Sequence, residues 1–338
     1  MNGGSSMTLL SILDYGIRDE GQTSEEALAQ TVERARLAEH LGYHRFWVAE
    51  HHNVPALTSS APEMVMMHLL NQTTRIRIGS GGIMLPHYSP LKVAENLKTL
   101  TAFFPDRVDA GLGNNPGVKP AREALNEYRT SEVDHQKQVA DLVYYLQNDA
   151  DEDHRFSDMV VHPNVKANPI PFVLTTGSPS TAQQAGKLGL GYVYGKFLVG
   201  MDYVQNGINT YRYHFKPSPF LKQPLVSIAL SVAVAPTEEE AAELERALDV
   251  WMLGKHDYRE FTHFPSVETA AQYKLSAEDK DRIQKNKNKA IIGTPTDVQQ
   301  QLQQLIDITD ADELLIVPLI PGEDKRRYTL EALAEMEL

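Results

Sequence analysis

Short apolar runs suited to strands alternate along the chain with longer runs of helical period. Thr8–Asp14 (TLLSILD) predicts a buried strand. Ser24–Leu41 follows with apolar residues at Ala27, Leu28, Val32, Ala35, Ala38 and Leu41, a helical spacing closed by Gly42. Thr23 and Ser24 are the candidate N-caps of that helix, and Glu25 and Glu26 suit its positive end. The rhythm then repeats, with strands at Arg45–Ala49, Arg75–Gly79 and Arg107–Gly111 and helices at Pro62–Gln72, Leu91–Phe104 and Val133–Gln147. In the second half the pattern predicts strands at Pro171–Thr175, Gly191–Tyr194, Leu225–Ala235 and Glu313–Pro318. Helices are predicted there at Thr181–Leu188, Asp202–His214, Glu238–Leu253, Pro295–Ile308 and near Lys325–Glu335.

The sum is eight strands, each with a helix to follow. Strict alternation implies a parallel sheet, because a parallel crossover needs a helix-sized connection. At this length the pattern favours an α/β fold of the (β/α)8 TIM-barrel type over an open doubly wound sheet. The open sheet also lacks its phosphate signature: Gly111-Leu-Gly113-Asn-Asn-Pro-Gly117 misses G-x-G-x-x-G by one position. Two stretches exceed ordinary loop length, 149–169 and 254–293. The second is an insertion between strand 7 and strand 8, read either as a lid on the rim or as a helical excursion over the barrel's outside. Residues 1–6 read as a flexible leader, and 7–338 as a single barrel domain.

Composition narrows the chemistry. The 338 residues include no cysteine, which excludes a disulfide framework, a thiolate nucleophile and Cys-ligated metal or iron–sulfur centres. No stretch approaches the roughly 18 apolar residues of a membrane span, and the N-terminus carries no signal-peptide pattern, so the simplest expectation is a cytoplasmic protein without membrane contact. A net charge of −13 argues against nucleic acid, whose binding rests on neutralising phosphates. The basic run 280–289 (KDRIQKNKNK) reads as a solvated helix or loop.

In a barrel the chemistry gathers at the C-terminal ends of the strands. After strand 2 comes Glu50-His51-His52. As a metal site this is weak, because neighbouring strand residues point to opposite faces and no H-E-x-x-H is present. Imidazole beside a carboxylate does suit acid–base work, which falls to His51, while the other histidine can serve as a loop cap. After strand 3, Ser80-Gly81-Gly82 suits either a tight turn or a backbone that a planar ligand must approach closely. After strand 5, Gly177-Ser178-Pro179-Ser180-Thr181 opens a helix. Its N–H groups and hydroxyls can hold a phosphate dianion, or simply cap the helix.

The runs WVAEHHNVPALTSSAPE and RIRIGSGGIMLPHYSPLKVAENLKTLTAFFPDRVDAGLGNNPG strongly resemble the bacterial luciferase-like flavin-dependent oxidoreductases. The likeness resumes at 176–191 and 292–317. It implies a barrel that binds reduced FMN, or in some branches the deazaflavin F420, at the C-terminal rim, and a non-proline cis peptide within Ser80–Gly82. It further implies His51 as the active-site histidine and Ser178, Ser180 and Thr181 as phosphate-binding hydroxyls, with Ser80, Gly81, Gly82 and Gly177 as cofactor contacts. Many relatives place an arginine after strand 4 to pair with the phosphate; here that position is Asn114, with Lys196 or Arg122 as substitutes. Luciferases proper carry a reactive cysteine where this chain has Gly113, so light emission is not implied. The expected activity is a monooxygenase using reduced FMN and O2 on a small-molecule substrate, with reduced flavin delivered by a separate reductase. The alternatives are an F420-dependent hydride-transfer enzyme and a non-catalytic flavin-binding protein. A homodimer is implied by the resemblance alone.

Overall fold

In a computed structural model described over residues 7–147, 153–195 and 201–338, the strands close on themselves. They are β1 (Leu9–Asp14), β2 (Arg45–Val48), β3 (Arg77–Met84), β4 (Asp109–Gly113), β5 (Ile170–Thr175), β6 (Gly191–Gly195), β7 (Val226–Val234), β8 (Ala290–Gly293) and β9 (Glu313–Val317). All pairings between them are parallel. The sheet runs β1 to β7 in chain order and returns through β9 to β1, a closed barrel of eight strands with β8 outside the ring. β8 adds to β7 at Ser231–Val234, where the pairing of β9 with β7 ends.

The helices form where the pattern places them and are stopped by local chemistry. Thr23 and Glu26 build a reciprocal capping box at the start of Ser24–Leu41, and Gly42 ends it in the left-handed region at φ 85°. Two strands run further than their apolar pattern. β3 continues through Ser80-Gly81-Gly82 to Met84 and β4 through Gly113, so these glycines are strand residues and not loop. Glycine gives no hydrophobic signal, yet here it is what packing requires: a Cβ on Gly82 would stand 2.7 Å from the Gly111 carbonyl oxygen. The Gly81–Gly82 peptide is cis. The pattern also misses the helix Lys119–Leu125 and the contents of 254–293, which are the helices Val267–Gln272 and Ala277–Asn286 and strand β8. The leader 1–6 lies outside the described residues.

The barrel floor, at the N-terminal ends of the strands, is ionic. Arg45 on β2 bonds Asp109 on β4 at 2.8 Å and Glu313 on β9 at 3.0 Å. Asp109 also accepts from Arg77 at 2.6 Å and from the Trp47 indole at 3.1 Å. Ser11 and Ser227 complete the set on Glu313. Asp109 is fully buried, and the flanking guanidiniums hold its carboxyl below the usual range despite the opposing pull of burial. This network ties six strands together at the end away from the rim.

One buried charge has no such support. Lys98, on the helix Pro90–Phe103, is fully buried and its Nζ has no hydrogen-bond partner. Burial pulls its pKa down to about 8. The unfolded chain holds that proton up to about pH 10.4, so folding is penalised below pH 8 and the penalty disappears as pH rises from there. Lys98→Met is therefore expected to stabilise the protein by about 2 kcal/mol at pH 7 and by little at pH 10. Urea unfolding at the two pH values checks it; equal effects at both would contradict it.

Candidate functional site

The C-terminal ends of the strands open into one large cavity of about 740 Å³. β2 delivers Glu50, His51 and His52 to it, β3 delivers Gly81 and Met84, and the loop after β4 delivers Asn114 and Lys119. Thr175 and Thr176 enter from β5, and Leu248, Trp251, Met252 and Tyr258 from the segment that follows β7.

Glu50 organises the β2 side. Its side chain is fully enclosed and accepts three hydrogen bonds: His52 Nε2 at 2.7 Å, the Met84 backbone N–H at 2.8 Å and the Tyr88 hydroxyl at 2.5 Å. The carboxylate thus joins the end of β2 to the end of β3 and fixes the His52 ring, which is 21% exposed. Burial, then the bond to Glu50, raises the Tyr88 pKa, so its proton stays in place. His87 stands edge-on to His52 with ring centroids 6.3 Å apart, and burial lowers its pKa.

His51 differs from its neighbour. Its backbone N–H donates to Ser59 and its ring leans against Tyr15 at 4.6 Å, but its enclosed Nδ1 has no partner. Burial brings its pKa down to about 4, with Glu50 opposing and His52 adding to the shift. The imidazole is therefore neutral at pH 7. Because an unfolded histidine protonates near 6.5, stability falls as pH drops from 6.5 towards 4 and changes no further below that. His51→Phe is expected to recover about 2 kcal/mol of stability at pH 4.5 relative to pH 7.5. Thermal melts at both pH values check this, and an unchanged difference between them would contradict it.

Across the cavity the helix Pro179–Lys187 points its N-terminus at the rim. Ser178 is its N-cap, with its hydroxyl accepting from the Thr181 N–H at 3.5 Å and meeting the Ser180 hydroxyl at 3.0 Å. Thr175 Oγ1 accepts from the N–H groups of Gly177 at 3.1 Å and Ser178 at 3.2 Å. Beside Gly177 lies the Tyr194 ring, whose buried hydroxyl has no partner. Ser178 and Ser180 are exposed, whereas Thr181 is buried.

The residues expected from sequence are thus brought to one rim, in unequal positions. His51, Gly81 and Asn114 line the cavity. Ser80 is fully buried and donates to the Gly111 carbonyl at 3.0 Å, so its hydroxyl is committed to the strand pair. Gly82 packs on β4 and not on the cavity. Gly177, Ser178, Ser180 and Thr181 form the edge just beyond the lining residues Thr175 and Thr176. Arg122 is exposed and off the cavity, while Lys119 of the same short helix lines it; Lys196 lies outside the described residues. A side chain at 113 would meet the Met84 methyl at 2.2 Å, so methionine fills the space where a cysteine would stand. Sequence reasoning missed the Glu50–Tyr88 bond and Lys119, and it set the insertion on the rim in only one of its two readings. Among the described residues no group of three or more acidic or imidazole side chains could hold a metal ion, and no helix is long and apolar enough to cross a membrane.

A sequence profile described as luciferase-like monooxygenase matches residues 7–311. The N-acetyl-S-alkylcysteine monooxygenase of Bacillus subtilis (strain 168) is 32% identical, covering 98% of this chain and 99% of that one. Among solved structures, apo-MsnO8 is 32% identical with a TM-score of 0.81, covering 98% of each chain. The oxygenating constituent of 3,6-diketocamphane monooxygenase from Pseudomonas putida, solved with FMN, shares the fold at 16% identity and a TM-score of 0.69, again covering 98% of each chain.

Proposed function

Because the chain belongs to the luciferase-like monooxygenase family, we propose that its cavity holds reduced FMN and catalyses oxygen transfer from O2 to a small organic substrate. The observation that carries this reading is the enclosed, unpartnered Nδ1 of His51, a residue that lines the cavity. Such an atom on a cavity wall has room for a bound partner. It stands where the end of β2 meets Gly81 of β3, across the cavity from the loop that leads to the serine-rich N-terminus of helix Pro179–Lys187. FMN in complex with the P. putida enzyme of the same fold supports the choice of cofactor.

In this reading Gly81 supports the ring system and Ser178, Ser180 and Thr176 face the phosphate. Lys119 takes the place of the arginine that Asn114 replaces, though a lone ammonium gives less than a bidentate guanidinium. When bound, reduced FMN supplies the two electrons that leave one oxygen atom of O2 in the product and the other in water. The apolar walls from Leu248, Trp251 and Leu319 keep water from the site. His51, neutral at pH 7, serves as a fixed hydrogen-bonding group. His52 takes the proton-transfer role, because the Glu50 carboxylate fixes its ring. The acid–base role expected of His51 passes in this reading to its neighbour.

Anaerobic titration tests the proposal: stoichiometric binding of reduced FMN is expected, with riboflavin weaker and F420 as the competing cofactor. Absence of stoichiometric binding of FMN, reduced or oxidised, would overturn it. Turnover is then read as 18O from 18O2 in the product, with an N-acetyl-S-alkylcysteine, as acted on by the B. subtilis relative, as the first substrate. Binding without turnover across a substrate panel would favour a flavin-binding protein instead.

A further inference from the structure

The basic run near residue 285 does not all face solvent. Helix Ala277–Asn286 and the turn after it place Arg282, Asn286, Lys287 and Lys289 on the cavity wall. Lys287 lies close enough to Asp249 to oppose the rise that burial and Glu245 impose on that carboxyl, whose pKa nonetheless reaches about 6. Arg282 and Lys289 have no such counterpart. Neither forms an ion pair among the described residues; the Lys289 ammonium donates to the Asn286 side chain at 2.5 Å. Partial burial, and after it repulsion from Arg282, lowers the Lys289 pKa.

Glu245, Asp249 and Asp257 line the same cavity, but among the described residues none of them pairs with Arg282 or Lys289, which leaves these two cations free for an anion. Their place is not the one read above as the phosphate end. Lys289 immediately precedes β8, which lies outside the ring on β7, whereas Ser178 follows β5. In the ring β6 stands between β7 and β5. The same cavity carries the apolar side chains of Leu248, Trp251, Met252, Ile292 and Leu319.

We propose that Arg282 and Lys289 bind the carboxylate of the substrate, so that this enzyme selects small molecules with an apolar body and an anionic head. This rests on the cavity being the substrate site of the function proposed above. The insertion then acts as a specificity element: it grips the head while the apolar wall holds the body towards His52. A guanidinium and an ammonium converging on one carboxylate give charge-assisted hydrogen bonds, and their solvent-shared position makes the attraction sensitive to salt.

The test uses flavin-loaded protein and three probe pairs, N-acetylleucine, N-acetylmethionine and N-acetylphenylalanine, each with its primary amide, titrated by calorimetry. In the wild type the acids are expected to bind about tenfold tighter than the amides. In the Arg282→Gln/Lys289→Gln double variant that preference should fall to about twofold or less. Both positions border solvent, so folding should survive, and a matched circular dichroism melt checks this. Acids binding no tighter than amides in the wild type, including no binding of either, would overturn the proposal. So would a preference that persists in the double variant. A second arm compares FMN with riboflavin: the ratio of their affinities should be the same in both proteins. Its collapse in the variant would mean that these cations hold the cofactor phosphate, which also overturns the proposal. Failure of the wild type to bind flavin at all would instead sink the functional reading beneath it.

Discussion

Replacing Asp109 by alanine is expected to cost about 3–5 kcal/mol of stability, the range for breaking a buried ion network by removing one partner. Three groups depend on that carboxylate: Arg45 at 2.8 Å, Arg77 at 2.6 Å and the Trp47 indole at 3.1 Å. Arg45 keeps Glu313, but its second charge-assisted bond is gone and no water-filled space replaces it, since Asp109 has no solvent exposure. Asp109→Asn should cost less, because an amide oxygen still accepts from one guanidinium while the charge is lost. Urea unfolding of the three proteins gives the ranking. Asp109→Ala within about 1 kcal/mol of wild type would show that the floor rearranges around the loss. The network stands at the N-terminal ends of the strands, where barrel residues serve stability. Flavin affinity of whatever fraction remains folded should therefore be unchanged, which separates this effect from damage to the rim.

The barrel was legible because its eight strands and intervening helices differ in period, and caps such as Thr23 and Gly42 mark the ends. The pattern failed where side chains stop reporting. Ser80–Gly82 reads as a loop, but its glycines are strand residues chosen for close backbone approach, with Gly111 only 2.1 Å from the Ser80 carbonyl if a Cβ were added. The insertion failed for another reason: Ala277–Asn286 is so polar that its sequence looks wholly solvated, and only the tertiary position of Lys289 turns part of it inward. The site was half legible. Glu50-His51-His52 announces chemistry by composition, yet adjacent residues of like type cannot be told apart until the fold gives one a carboxylate and encloses the other. Tyr88 and Lys119 had no local signal, since each matters through a partner or a cavity that the chain reaches only by folding.

That distinction between the histidines leads to the second large effect. His52→Ala is expected to lower the rate of oxygen insertion by about 10²–10³-fold, the contribution of a positioned acid–base group. The affinity for FMN should change little, because His52 is one of many groups on the wall. Glu50→Gln tests how the imidazole is held. The amide's single oxygen can replace only one carboxylate oxygen, the one that Met84 meets or the one that Tyr88 and His52 share, and the charge is lost, so a loss of about tenfold is expected. His51→Gln should leave the pH dependence of the rate in place, because a group with its pKa near 4 does not change charge in the working range. The readout is the ratio of 18O in the product to hydrogen peroxide released as flavin is consumed. A proton-transfer defect lowers product and raises peroxide at constant flavin consumption, whereas a collapsed pocket would reduce flavin binding as well. If His51→Gln lowers product and raises peroxide and His52→Ala does not, the proton belongs to His51. The carboxylate of Glu50 would then serve only to join β2 to β3.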